Sequence, residues 1–152
     1  MNDLHASQAC LDLIAGCEAL RLTAYKPTRL ATEPWTIGYG HTAGVCEGMT
    51  ITIDVAKELL LEDVGSVEGD LRPLVAHCVL TQGMWDALVS LCFNLRGGPR
   101  ALPHAAPKLW AALLAGRRND AAAQFLNMDH EGHTELAGLH ARRAKEAALF
   151  LS

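Results

Sequence analysis

The chain of 152 residues lacks long apolar runs and has no basic stretch longer than two residues. Half of the residues are apolar, but the longest apolar runs, such as residues 88–93, are far too short to cross a bilayer. The formal net charge is −4, and only two arginine pairs occur, at positions 117–118 and 142–143, which makes nucleic acid a poor partner. We also find no internal repeat. A chain of this length suits one domain over residues 1–152 that buries roughly two thirds of its unfolded surface.

The five cysteines are odd in number and include no C-x-x-C pair. This pattern favours buried free thiols in a reducing compartment over a disulfide framework or a zinc site. His130 and His133, with Glu131 and Glu135 nearby, are the only arrangement that suggests a metal. They fall on a glycine-containing loop without a further ligand cluster, so we predict neither a metal nor a cofactor.

The first twenty residues have no cationic n-region, and polar residues interrupt their apolar positions. We therefore expect neither a signal peptide nor a membrane anchor. The expected location is the cytoplasm in which the protein is made, until something else releases it.

Apolar periodicity and capping residues predict the helices. The first helix is predicted over residues 7–20. Thr52 is a candidate N-cap of a long helix that ends or kinks at Pro73, and Thr81 is the N-cap of a helix that is apolar nearly all round. The remaining predicted helices cover residues 107–114, 119–126 and 136–150, and a proline-containing loop is predicted at 99–107.

Residues 35–42, WTIGYGHT, are the stretch around which we place the candidate site. Three β-formers followed by glycines at 38 and 40 predict a short strand that runs into a tight turn. Extended segments at 23–26 and 49–51 complete a small β-region. Glu18 stands where the first helix breaks, and an apolar helix face beside a carboxyl favours the protonated form that a general acid needs. On spacing alone, a surface glutamate at a helix end is the simpler interpretation.

At these residues the sequence resembles the phage-type lysozymes (endolysins, glycoside hydrolase family 24). The motif E-x-x-R-L-x-A-Y begins at Glu18, and T-I-G-Y-G-H-T begins at Thr36. Residues 85–94 resemble the buried central helix of that family, and residues 138–151 resemble its closing helix. The resemblance implies an α+β lysozyme-like fold in which a connector helix joins a small β-lobe to a larger helical lobe.

The resemblance also implies a role for individual residues. Glu18 would be the general acid, and Thr36 would hold the attacking water because a hydroxyl both donates and accepts hydrogen bonds. The residues that it suggests for substrate contact along the interlobe cleft are His41, Thr42, Phe93 and Gln124. Phe93 could equally be a core residue.

Two further pairings follow from the resemblance. His41 is expected to pair with Asp63 on the connector helix, which would give it a structural role instead of a substrate contact. Arg143, in R-R-A-K-E, is expected to pack near Glu18, with a solvated charge on the last helix as the alternative.

The second carboxylate is where the chain departs from the family pattern. The position nine residues after Glu18, where the family has an aspartate, is Pro27. Glu33 is the only acidic residue in the loop that follows, and it could replace that aspartate or be an ordinary loop charge. The alternatives are therefore that Glu33 takes the role, that Glu18 and a water held by Thr36 suffice, or that activity is reduced.

The resemblance implies hydrolysis of the β-1,4 bond between N-acetylmuramic acid and N-acetylglucosamine in peptidoglycan, with inversion and without a cofactor. Because no export signal is expected, we also expect a holin to release the protein, as a monomer, from the host cytoplasm to the periplasm at lysis. The alternatives are a weakly active or non-catalytic peptidoglycan-binding module, favoured by Pro27, and a lytic transglycosylase that uses Glu18 alone.

Overall fold

The computed structural model describes residues 3–28, 32–128, 130–131, 134–135 and 137–152. The predicted α+β class is confirmed, since the described residues form mostly helices and two small antiparallel sheets. The helices are α1 (Gln8–Cys17), α2 (Ile53–Leu74), α3 (Gln82–Asn94), α4 (Leu102–Ala105), α5 (Pro107–Leu114), α6 (Arg118–Gln124) and α7 (Ala137–Leu151). The strands are β1 (Arg21–Tyr25), β2 (Thr36–Gly38), β3 (His130–Glu131) and β4 (Thr134–Glu135).

The small sheet has the predicted strand and turn. Strands β1 and β2 are antiparallel, with Arg21 opposite Gly38 and Tyr25 opposite Thr36. After β2 the chain reverses at Gly38 and Gly40, whose φ angles of 65° and 93° are left-handed and favour glycine. The predicted segment at 49–51 pairs with β1 through a bridge at Thr50 and is not a full strand.

The two predicted threonine caps are confirmed. Thr52 Oγ1 accepts a hydrogen bond from Val55 N–H at 3.2 Å at the start of α2, and Thr81 Oγ1 accepts one from Met84 N–H at 3.3 Å at the start of α3. Helix α2 ends one residue after Pro73, as predicted. Helix α1 ends at Cys17 and not at residue 20, because the following residues enter β1.

Helix α3 is the centre of the helical lobe, and residues 83–92 are all buried. Helix α7 packs directly on it. A Cβ atom on Gly83 would lie 2.2 Å from the backbone oxygen of Leu149, so the missing side chain permits this close approach. The predicted loop at 99–107 is wrong, since a 3₁₀ helix (Gly98–Ala101) and α4 occupy it, with prolines in their first turns where no helical hydrogen bond is lost.

All five cysteines are free. Cys10 and Cys92 are buried, as the composition predicted, whereas Cys46 is exposed. Within the part of the chain that the structure describes, no helix is both long and apolar enough to span a membrane.

Candidate active site

Glu18 is the C-cap of α1, and its backbone N–H donates to the carbonyl of Ile14 at 2.9 Å. Its side chain is 25% exposed and faces a cavity of about 360 Å³. The polar and charged residues around that cavity are Glu18, Asn94, Arg142 and Lys145. A partly exposed carboxyl in a concave polar site can transfer a proton to a bound group, which is the chemistry predicted for Glu18.

Arg142 of α7 holds the Glu18 carboxylate. Its Nη1 donates to Glu18 Oε1 at 2.6 Å, and its side chain is only 4% exposed. Burial acts to lower the pKa of Arg142, but the hydrogen bond to Glu18 and the negative charges of Glu146 and Glu18 raise it above its ordinary value. Arg142 therefore carries a permanent positive charge next to the candidate acid.

The expectation that Arg143 packs against Glu18 is wrong by one residue. Successive residues on a helix point about 100° apart, so only one of the two arginines can face Glu18. Arg143 instead donates to Glu146, to Asn94 Oδ1, and through Nε to the carbonyl of Met128 at 3.2 Å.

The sequence interpretation missed Glu146 and Ser90. Glu146 is completely buried and accepts hydrogen bonds from Arg142 Nε at 3.1 Å and from Ser90 Oγ at 2.7 Å, as well as from Arg143. The signal that could have found Glu146 is its spacing of four and three residues from the two arginines, which places all three on neighbouring positions of one helix.

Thr36 lies in β2 with its side chain buried, and its Oγ1 donates to the carbonyl of Pro34 at 3.3 Å. It is opposite Tyr25 and is not among the described residues that line the Glu18 cavity. A hydroxyl that donates one hydrogen bond can still accept others. The role of Thr36 as a water ligand stays a prediction.

Pro27 is exposed and Glu33 is half-buried, in a loop of which residues 29–31 lie outside the described residues. Glu33 is absent from the described lining of the Glu18 cavity. Its replacement of the family aspartate stays a prediction.

His41 has the predicted structural pairing. Its Nδ1 lies 2.9 Å from Asp63 Oδ1, and its Nε2 lies 2.9 Å from the carbonyl oxygen of Ala43. Both ring nitrogens are therefore engaged within the protein, which leaves neither for a sugar hydroxyl. This pairing ties the turn after β2 to α2. The role of His41 as a substrate contact stays a prediction.

The other predicted sugar contacts do not line the Glu18 cavity. Thr42 is exposed in the turn after β2. Phe93 is half-buried and packs against the core, which was its alternative interpretation. Gln124 accepts a hydrogen bond from Asn127 Nδ2 at 2.9 Å and lines a separate cavity of about 320 Å³ next to α5.

No group of three or more possible metal ligands occurs among the described residues. The arrangement of His130 and His133 noted in the sequence lies outside the residues whose side chains the structure describes.

Known proteins are similar to this chain in sequence and in structure. Residues 15–146 match the sequence model of the family described as Phage lysozyme. The chain is 36% identical over 153 residues to an endolysin of Acyrthosiphon pisum secondary endosymbiont phage 1, a match that covers 98% of this chain and 99% of that protein.

Solved structures of other proteins have a similar fold. The fold is similar to the muramidase domain of SpmX from Asticaccaulis excentricus, with a TM-score of 0.85, 36% identity, and coverage of 98% of this chain and 99% of that one. It is also similar to P22 lysozyme, with a TM-score of 0.79, 33% identity and the same coverage.

Proposed function

The chain belongs to the phage lysozyme family, and from that membership we propose that it is a peptidoglycan-hydrolysing endolysin in which Glu18 is the general acid. The observation that carries this assignment is the Glu18 carboxyl itself, which is part-exposed at a polar cavity and held by Arg142. The bond that we propose it cleaves is the β-1,4 link between N-acetylmuramic acid and N-acetylglucosamine.

In the proposed reaction, Glu18 donates its proton to the glycosidic oxygen as the bond from that oxygen to the sugar carbon breaks. Water held by Thr36 adds to the same carbon from the opposite face and loses a proton, which inverts the configuration. Glu33 is the candidate acceptor for that proton. The family's aspartate position is Pro27, which cannot accept a proton.

Matched carboxyl-to-amide changes test the assignment. We expect Glu18→Gln to lower the rate of reducing-end release from solubilised peptidoglycan by roughly 10²- to 10⁴-fold, the usual contribution of a general acid. Glu33→Gln should lower the rate if Glu33 accepts the water proton. Parent activity in Glu33→Gln would remove Glu33 from the mechanism, and parent activity in Glu18→Gln would remove the whole assignment.

Pro27 favours a second candidate function, a weakly active or non-catalytic peptidoglycan-binding module. Turbidity loss of chloroform-treated Gram-negative cells separates the two, because binding without clearing supports the module. Anhydro-muramic ends in the digest would instead identify a lytic transglycosylase that uses Glu18 alone.

We also propose how the protein reaches the cell wall. A monomer in the host cytoplasm would reach the periplasm through a holin at lysis. Expression with and without a holin, followed by culture clearing, tests this dependence, and clearing without the holin would contradict it.

A further inference from the structure

Among the described residues, one ion pair holds the Glu18 side chain. Glu18 follows a helix of only ten residues, and Arg142 is its partner at 2.6 Å. Whatever sets the direction of Arg142 Nη1 therefore also sets the direction of the carboxyl that we propose as the acid.

All three nitrogens of the Arg142 guanidinium donate hydrogen bonds. Nη1 donates to Glu18, Nε donates to Glu146 Oε1 at 3.1 Å, and Nη2 donates to the carbonyl of Ser90 at 3.0 Å. A planar guanidinium with three held nitrogens has one orientation. Of these three acceptors, Glu146 is the only completely buried carboxylate.

Glu146 also connects to a second residue of the cavity wall. It accepts a hydrogen bond from Arg143, whose Nη2 donates to Asn94 Oδ1, and Asn94 lines the same cavity as Glu18. Ser90 Oγ donates to Glu146 Oε1 at 2.7 Å, the same oxygen that accepts from Arg142 Nε. One buried carboxylate thus anchors two arginines, and each arginine holds a different residue of the cavity wall.

The charges in this network balance. Arg142 and Arg143 contribute two positive charges, and Glu18 and Glu146 contribute two negative charges when ionised. If Glu146 were neutral, the charge of Arg142 would be offset by Glu18 alone and would favour the ionised form of Glu18, which cannot donate a proton. Because the network is largely buried, this effect is screened weakly by solvent.

We propose that Glu146 is a positioning residue of the glycosidase site, which orients Arg142 and offsets its charge so that Glu18 meets the substrate as a proton donor. This inference rests on the proposed function of Glu18. It assigns to Glu146 a role in turnover beyond holding α7 on α3.

The test compares Glu146→Gln with a matched control, Glu68→Gln. Glu68 is also a nearly buried glutamate, which accepts hydrogen bonds from the N–H of Ala6 and from Trp85 Nε1 at 2.9 Å, away from the Glu18 network. Both variants lose a buried charge and some stability. Only Glu146→Gln should change kcat and the pH dependence of activity.

We expect Glu146→Gln to lower kcat on solubilised peptidoglycan on the order of 10²-fold with little change in KM, since a misplaced reacting group costs about this much. The pH above which activity falls should also move lower than in the parent, because the uncompensated arginine charge favours ionised Glu18. Glu68→Gln should keep the parent kcat and pH profile, measured at a temperature where circular dichroism shows both variants folded.

Glu146→Asp keeps the charge but is one methylene shorter, so it should restore the parent pH profile while leaving kcat reduced. If Glu146→Gln does not fold, the kcat of Glu146→Asp decides the question. Parent values of kcat and pH profile in the folded variants at position 146 would overturn the inference. Glu18→Gln in the same assay separates the two proposals, because a fully active Glu18→Gln would refute the function of Glu18 itself.

Discussion

Replacement of Asp86 by alanine should release the start of the helix that carries Glu18. Asp86 of α3 is 1% exposed, and its Oδ1 accepts a hydrogen bond from Ser7 N–H at 3.0 Å. Ser7 Oγ donates to the other carboxylate oxygen, and Gln82 Nε2 donates to Oδ1 at 2.8 Å. Since Ser7 is the N-cap of α1 and makes no side-chain cap of its own, Asp86 anchors this helix end.

The expected cost follows from the donors that lose their acceptor. The Ser7 N–H and hydroxyl are partly buried, and a hydrogen-bond donor left without a partner costs about 1–3 kcal/mol. The Gln82 amide is exposed enough for water to replace its partner. We therefore expect Asp86→Ala to lower the free energy of unfolding by about 3 kcal/mol. Asp86→Asn should cost about 1 kcal/mol, because the amide oxygen can still accept from Ser7 N–H and the hydroxyl can rotate to accept from the amide.

Urea denaturation of both variants measures these values. With a slope of about 2 kcal/mol per M, the alanine variant should unfold at about 1.5 M less urea than the parent. The control is Asp70→Ala, which removes an exposed ion pair with Arg100 and should cost less than about 1 kcal/mol. Equal midpoints for Asp86→Ala and Asp70→Ala, or equal losses for the alanine and asparagine variants, would refute the anchoring role of Asp86.

Two further predictions concern the core. Gly83→Ala should lower the free energy of unfolding by about 1–3 kcal/mol, because the new Cβ would overlap the backbone of the last turn of α7, and a thermal melt unchanged from the parent would contradict this. Burial raises the pKa of the Cys10 and Cys92 thiols from 9.0 to about 12, so unfolded thiols ionise before folded ones. The free energy of unfolding should therefore fall as pH rises above about 9 and continue to fall to about 12, and the Cys92→Ser variant should show a smaller fall in urea titrations across that range.

Much of the local structure could be predicted from residues a few positions apart. The Thr52 and Thr81 caps depend on a hydroxyl and an N–H three residues later, and the turn after β2 depends on glycines that accept a left-handed backbone. The pairing of His41 with Asp63 was predicted through the family resemblance, and its distances confirm it. The loop predicted at 99–107 was wrong because prolines are compatible with the first turn of a helix as well as with a loop.

The candidate site was harder to predict because its contacts join distant parts of the chain. Glu18 and Arg142 are 124 residues apart, and the choice between Arg142 and Arg143 depends on the rotation of α7 against α3. The family resemblance suggested Gln124 as a cleft residue, and the structure shows it lining a separate cavity next to α5, so its contact with a sugar stays a prediction.

The sequence by itself determined most of the helices, the threonine caps, the glycine turn and the identity of a lone carboxyl at the end of the first helix, because each of these depends on chemistry within one or two turns of chain. Only the tertiary structure decided which arginine holds that carboxyl and that Glu146 is shared by two arginines. The physical reason is that a buried charge is tolerated only where the fold supplies its partners, and the direction of each side chain is set by how whole helices pack.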